Sequence, residues 1–389
     1  MSRSFLISTL GLIIGLGIGY LLVLHPTFSF FSPSGNFEIT SPLSQPKHQV
    51  IGFLPYWLLK NSALDYSQYV TKVAYFALTP GSDGRIKKLD NPIEEEPGWY
   101  SLTSGKADKA LKTAREKHIA LSLVIFSGDN EAIAEMLADP VTNARHLMSD
   151  VLPLMRKYGF SDLNLDIEQI ADATDQDRSN FILFASEIKH ILNTQKAGTL
   201  TVDITGDDLI RNNLIEPEKI GKIADYVMLM MYDFHYTGSM VTGPVAPLSG
   251  AGKVAEYDIE SAVQKALASI PAEKIIVGAP LYGYEWETLG DDPRSAILPG
   301  SGILASNKRI EDLLAHCASC SAKIDEIAQE SYLIYKDQGT GTYHQIFFPT
   351  DKAMQVKIDF VTKQGLAGIG LWALGYEGKT ILEPLRGYK

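Results

Sequence analysis

Cysteine is almost missing from this chain. Two of 389 residues, Cys317 and Cys320, form a single C-x-x-C. That excludes a small scaffold held by a disulfide framework. No second pair exists to complete a four-cysteine zinc site. A local disulfide, two free thiols, or a redox pair without its usual surroundings stay open for these cysteines. An excess of basic charge is missing too. There are 35 Lys+Arg against 46 Asp+Glu, a net charge of −11. With no basic face to neutralise phosphates, nucleic acid is not an expected partner. Tryptophan occurs four times, as Trp57, Trp99, Trp286 and Trp372. Charge itself is scarce in one region, where Arg3 stands alone among the first 24 residues.

That region runs uncharged from Phe5 to Leu24, a stretch of 20 residues. It matches the length of a membrane-crossing helix and exceeds the apolar core of a cleaved signal peptide. His25, Pro26 and Thr27 follow, with no small-x-small cleavage site. Residues 1–26 therefore read as a transmembrane signal anchor, and a cleaved, secreted form is the alternative. Arg3 before the stretch, and no further Lys or Arg until Lys47, place the bulk of the chain outside the cytoplasm. Gly11, Gly15 and Gly19 share one helical face, the small-xxx-small spacing that lets two membrane helices approach and dimerise. Residues 27–48, rich in Ser, Pro and Thr, read as a linker.

Beyond it, short apolar runs begin near residues 50, 70, 119, 163, 200, 226, 275 and 366. Several are continuous rather than alternating, as parallel strands buried on both faces tend to be. Amphipathic stretches such as Lys106–Lys117, Ala144–Lys157, Gln176–Asn193 and Ile259–Ala268 lie between them. Strand and helix in alternation, eight times, predict an α/β fold, a (β/α)₈ TIM barrel over 49–389. The last interval, about 91 residues, is too long for one loop and one helix. It predicts a small α+β insertion at about 287–350. A helix around Ile310–Ala315 and a hairpin pairing Ser331–Lys336 with Thr342–Phe348 lie inside it.

The fourth run reads Asp162-Leu163-Asn164-Leu165-Asp166-Ile167-Glu168. Strands alternate faces, so Leu163, Leu165 and Ile167 point toward the helical layer. Asn164, Asp166 and Glu168 point into a barrel interior that normally holds Val, Ile and Leu. A buried polar row is costly. It makes sense as a hydrogen-bonded relay that delivers Glu168 to the C-terminal mouth. Crowded carboxyls cannot all ionise, and burial raises the one left protonated. Glu168 then suits a general acid near neutral pH, with Asp166 as its partner.

Gly159-Phe160-Ser161-Asp162-Leu163-Asn164-Leu165-Asp166-Ile167-Glu168 resembles the D-x-x-D-x-D-x-E signature of glycoside hydrolase family 18, the chitinase-like hydrolases. Gly52–Trp57 resembles that family's first strand, Met230-Met231-Tyr232-Asp233 its sixth, Pro280–Trp286 its seventh, and Gly368–Trp372 its eighth. The likeness covers roughly 49–378, and it is nearest the bacterial spore-cortex and cell-wall type, whose signature often reads N-x-D-x-E. It implies that Glu168 is the proton donor, and that Asp166 and Tyr232 orient the substrate's acetamido group. Trp372 would be the platform under the reactive sugar, and Asn164 a support for Asp166. Ser161 and Asn164 stand where the signature has aspartates; Asn164 should alter the relay's charge and the pH profile, and Ser161, further from the chemistry, should matter less.

The resemblance implies retaining, substrate-assisted hydrolysis of β-1,4 bonds next to N-acetylglucosamine in chitin-like or peptidoglycan glycans, without metal or organic cofactor. The two-carboxylate scheme has this family among its exceptions. A chitolectin-like protein that binds in the same groove without turnover is the alternative, and the presence of Glu168 favours the enzyme. Tyr56, Met230, Asp233, Tyr282 and Trp286 are further candidate substrate contacts, each with core packing as the competing explanation. Trp57 is divided between stacking and core in the same way. Trp99, beside an acidic run at Glu94–Glu96, is a weaker candidate.

Overall fold

The computed structural model describes residues 48–63, 65–168, 173–211, 213–317 and 320–389. The expected anchor over 1–26, its glycine face, and the linker up to residue 47 lie outside the described residues. Among the described residues, no helix is long and apolar enough to cross a membrane.

Chain order gives β1 (Gln49–Pro55), β2 (Lys72–Leu78), β3 (Leu89–Asn91), β4 (Glu94–Glu95), β5 (Ala120–Ser127), β6 (Asp162–Ile167), β7 (Thr199–Thr205) and β8 (Tyr226–Met230). It continues with β9 (Ile275–Pro280), β10 (Tyr282–Thr288), β11 (Ile303–Ser306), β12 (Lys323–Asp325), β13 (Glu330–Lys336), β14 (Tyr343–Phe348) and β15 (Gly368–Trp372). A closed parallel barrel runs β1–β2–β5–β6–β7–β8–β9–β15 and back to β1. These are the eight strands expected from the apolar runs. Their continuous hydrophobicity has a direct cause, since β2 (KVAYFAL) is buried along its whole length between an inner and an outer core.

The outer core lies between strands and helices and takes Leu163, Leu165 and Ile167. The inner core fills the barrel with Ile51, Phe53, Ala74, Phe76, Val124, Met228 and Ile276. β6 is delivered by a well-stopped helix, Pro140–Tyr158. Asp139 caps its start through the Thr142 N–H, and Pro140 sits where its missing N–H costs nothing. Gly159 ends it at φ 78°, a left-handed turn that glycine adopts without a Cβ penalty. Strand β6 starts three residues later.

The insertion is a second, antiparallel sheet ordered β11–β10–β14–β13–β12, with the helix Asn307–His316 against it. The expected hairpin is β13 with β14, in a register pairing Lys336 with Tyr343. The sheet starts at Tyr282, earlier than residue 287. The run 282–286, expected as part of the seventh barrel strand, is therefore its opening strand β10. The break falls at Leu281, whose N–H turns to the Trp372 carbonyl at the end of β15. Cys317 and Cys320 form a disulfide after the inserted helix.

Candidate active site

Strand β6 sends Asp162, Asn164, Asp166 and then Glu168 toward the barrel axis, in layers from base to mouth. At the base, Asp162 accepts hydrogen bonds from Ser122 Oγ on β5 (2.6 Å) and Thr201 Oγ1 on β7 (3.1 Å), and also from Thr199. Lys72 Nζ on β2 lies 3.3 Å from Asp162 Oδ1 and 5.2 Å from the ring centre of Tyr226. In the middle layer, Asn164 Nδ2 donates to Asp203 Oδ1 on β7 at 2.7 Å. At the top, Asp166 and Glu168 share a side-chain hydrogen bond, which requires a proton on one of them. The Glu168 N–H donates to the Ser127 carbonyl (2.8 Å), fixing the end of β6 against β5.

The row opens into a cavity of about 860 Å³. It lies beyond the C-terminal ends of the strands, where barrel enzymes carry their sites. Asp166, Glu168, Met230, Tyr232, Asp233 and Trp372 all line it. The edge of Phe76 supports the Trp372 ring, with centroids 4.6 Å apart, and Trp57 stands beside it, 47 % exposed. Gly278 makes room for Tyr232, because a Cβ there would lie 2.9 Å from the tyrosine ring. Asp207, Asp208, Arg211, Tyr236, Glu256 and Tyr257 line the cavity as well.

This mouth is acidic. Among the described residues, Arg211 is the one basic side chain lining the cavity, and it pairs with Asp207 and Glu256. Burial pushes Asp166 well above the usual carboxylate range, and the charges of Glu168 and Asp203 push it further. Glu168 is raised by burial, then by Asp208 and Asp233, while its hydrogen bond with Asp166 works the other way. Burial also raises Asp203, against the opposing bond from Asn164. Such a group holds a proton past the pH at which an isolated carboxyl loses it. The arrangement can donate that proton to a group bound in the cavity and take one back.

The structure brings Glu168, Asp166, Tyr232, Met230, Asp233 and Trp372 together on one cavity, with Asn164 directly behind Asp166. Three expected substrate contacts, Trp286, Tyr282 and Tyr56, do not reach it. Trp286 is fully buried in the inserted sheet and donates its indole N–H to the Tyr236 carbonyl (3.1 Å). Tyr282 is also buried, and its hydroxyl donates to Asp233. Together with the Tyr284 hydroxyl (3.0 Å), it holds Asp233 in place. Tyr282 and Trp286 miss the cavity for the same reason. The strand carrying these residues turns away from the mouth into a sheet whose core consumes them. Tyr56 sits on a short 3-10 turn after β1, edge-on to Trp57, and does not line the cavity. Trp99 lies on the helix Pro97–Thr103, beneath Lys88, away from the cavity.

Sequence reasoning missed Asp203 and Asp208. An aspartate inside the apolar run Leu200–Ile204 was a visible signal for Asp203, of the same kind that singled out Asp166. Asp208 hides in a capping box with Thr205, a common helix start.

A parallel barrel with a proton-holding acid row at its C-terminal mouth, beside a tryptophan wall, defines a sugar-cleaving enzyme site, a glycoside hydrolase. The chain belongs to glycosyl hydrolases family 18, whose pattern matches residues 34–377. It is 24 % identical over 325 residues to the cortical fragment-lytic enzyme of Bacillus subtilis (strain 168), covering 82 % of this chain and 67 % of that protein. Two solved structures share the fold. The Ostrinia furnacalis Group IV chitinase has a TM-score of 0.74 at 20 % identity, covering 87 % of this chain and 98 % of that one. The Bacillus cereus spore cortex-lytic enzyme SleL has a TM-score of 0.69 at 20 % identity, covering 88 % and 74 %.

Proposed function

We propose that this enzyme hydrolyses β-1,4 bonds next to N-acetylglucosamine, with retention, using the substrate's own acetamido group as nucleophile. The observation that carries the reading is the hydrogen-bonded Asp166–Glu168 pair facing the cavity with Tyr232 beside it and, among the described residues, no cation on it. Similarity to enzymes named for spore cortex and for chitin supports the substrate class.

In this mechanism, Glu168 gives its proton to the glycosidic oxygen as the bond from that oxygen to the anomeric carbon breaks. The acetamido oxygen forms a bond to the same carbon, giving an oxazolinium ion. Asp166 and the Tyr232 hydroxyl hold the acetamido group and offset its growing positive charge. Glu168, now a carboxylate, takes a proton from water. That water attacks the anomeric carbon, the ring opens, the acetamido group is restored and Glu168 is protonated again. The Trp372 face, held by Phe76, is the platform for the reacting sugar.

Mass-spectrometric product analysis of purified peptidoglycan and of chitin oligomers tests the reading. Cleavage products from at least one N-acetylated glycan are expected. An oligomer carrying a free amine in place of every acetamido group should stay intact. Cleavage of that oligomer at a comparable rate would contradict substrate assistance.

The uncharged run Phe5–Leu24 supports a further part of the reading. In this proposal the barrel works outside the cytoplasm, tethered by an anchor whose Gly11, Gly15 and Gly19 face pairs two copies. Protease treatment of intact cells should remove the barrel and leave a short membrane-bound stub. Full protection would contradict the placement.

A further inference from the structure

The interior of this barrel holds a second buried carboxyl row member that is not on β6. Asp203 is 2 % exposed, and its Oδ1 accepts the 2.7 Å hydrogen bond from Asn164. The β6–β7 register pairs Leu165 with Val202, so Asp203, one residue further, stands level with Asp166. A carboxylate in such a place is expensive unless a cation pairs with it. Among the described residues no cation does. The interior's ammonium, on Lys72, is engaged by Asp162 at the base. The fold therefore gains little from Asp203, and a costly group of this kind points to function.

We propose that Asp203 is a positioning residue for Glu168, setting how firmly the Asp166–Glu168 pair holds its proton. The acid row then spans two strands, with Asn164 as the bridge. The proposal rests on the reading of Glu168 as proton donor.

Asn164 is neutral and adds no charge to the row. Its amide points at Asp203 and fixes that carboxyl beside Asp166. Burial raises Asp203 too, and at the pH where it ionises its charge disfavours a second negative charge on the pair, so the pair's proton stays. The groups facing Asp203 are almost all acidic or neutral. Asp162, Asp166 and Glu168 face it from β6, with Lys72 and Ser122 behind Asp162 from β2 and β5. Tyr232 comes from the turn after β8, and Asp208 and Asp233 add negative charge at the mouth. Buried Asn164 Oδ1 and Asp166 Oδ1 have no hydrogen-bond partner among the described residues, so the row holds two unpaired acceptors.

Two variants separate the charge from the shape. Asp203→Asn removes the charge. The swap Asn164→Asp with Asp203→Asn moves it across the same hydrogen bond to β6. The rate profile is measured against pH on an N-acetylglucosamine oligomer. Carboxyl titration by carbon NMR gives a second readout that needs no turnover. With Asp203→Asn, the alkaline limb of kcat/KM and the NMR midpoints of the pair should move down by about one pH unit. Activity above the limb should then fall about tenfold, with KM little changed. The swap should return both readouts to their original positions. If Asp203→Asn does not fold, the swap alone decides, with an unshifted profile as the supporting result. Unmoved limbs and midpoints in Asp203→Asn, or a swap shifted away from the parent, would overturn the proposal. Glu168→Gln runs in parallel. If it stays active, the reading of Glu168 itself fails. If it is inactive while Asp203→Asn is unshifted, only the role of Asp203 fails.

Discussion

The two ends of strand β6 carry the same residue type in opposite circumstances. Asp162 at the base is enclosed by three hydroxyls and a lysine 3.3 Å away. Asp166 at the mouth has no cation beside it among the described residues, and its neighbours Glu168 and Asp203 are carboxyls. The base has its charge matched by a partner. The mouth has its charge suppressed by proton retention. A buried aspartate with a partner holds the barrel closed, and a buried aspartate without one stores a proton for chemistry. In the proposed reaction the run from Asp162 to Glu168 thus serves stability at one end and reactivity at the other.

This contrast can be tested by removing each end separately. The largest effect on rate is expected at the mouth. Glu168→Gln keeps the volume and the hydrogen bonding but loses the transferable proton, and the rate should fall by about 10²–10⁴. Steady-state hydrolysis with an unchanged circular dichroism spectrum checks it. At the base the effect should be on stability. Asp162→Asn leaves the Lys72 ammonium without its partner, at a cost of about 3–5 kcal/mol, read from urea unfolding. The rate per folded molecule should hardly change. A loss of rate without loss of stability would erase the distinction between the ends. Tyr232→Phe removes one hydroxyl facing the pair, and kcat should fall about tenfold or more, with KM less affected.

The smallest effect concerns pH. Asp166 has a folded-state pKa raised above its unfolded value. Folding therefore takes up protons in the window between the two, and the enzyme loses stability as pH rises through that window. Asp166→Asn should lose this dependence and melt higher than the parent at pH 7–8. The gain should be about 1.4 kcal/mol for each pH unit of displacement. A variant that melts lower at every pH would mean that the mouth, like the base, is held together by its charge.

The barrel was legible in the sequence because its strands are buried on both faces, and such runs announce themselves as unbroken apolar segments. All eight appear at the expected places. The inward row was legible for a related reason, since period-two alternation separates Leu163, Leu165 and Ile167 from Asn164, Asp166 and Glu168. What stayed hidden depends on neighbours far apart in the chain. Nothing local joins Asn164 to Asp203, 39 residues on. Nothing local shows that the apolar-aromatic run after Pro280 leaves the barrel, because Tyr282 and Trp286 suit a barrel strand and an inserted sheet equally well. Short helices such as Asn130–Ala138 and Pro217–Ile223 also escaped. They are set by packing, and the first by its Asp129 cap, more than by a long periodic pattern.

The central claim is that the mouth of the barrel donates a proton while the substrate supplies its own nucleophile. Proton NMR of the first product, recorded as a chitin oligomer is cleaved and before mutarotation, reads the outcome directly. The β anomer should appear first at the new reducing end. The α anomer appearing first would mean that water attacks directly from the opposite face, and the claim would fall.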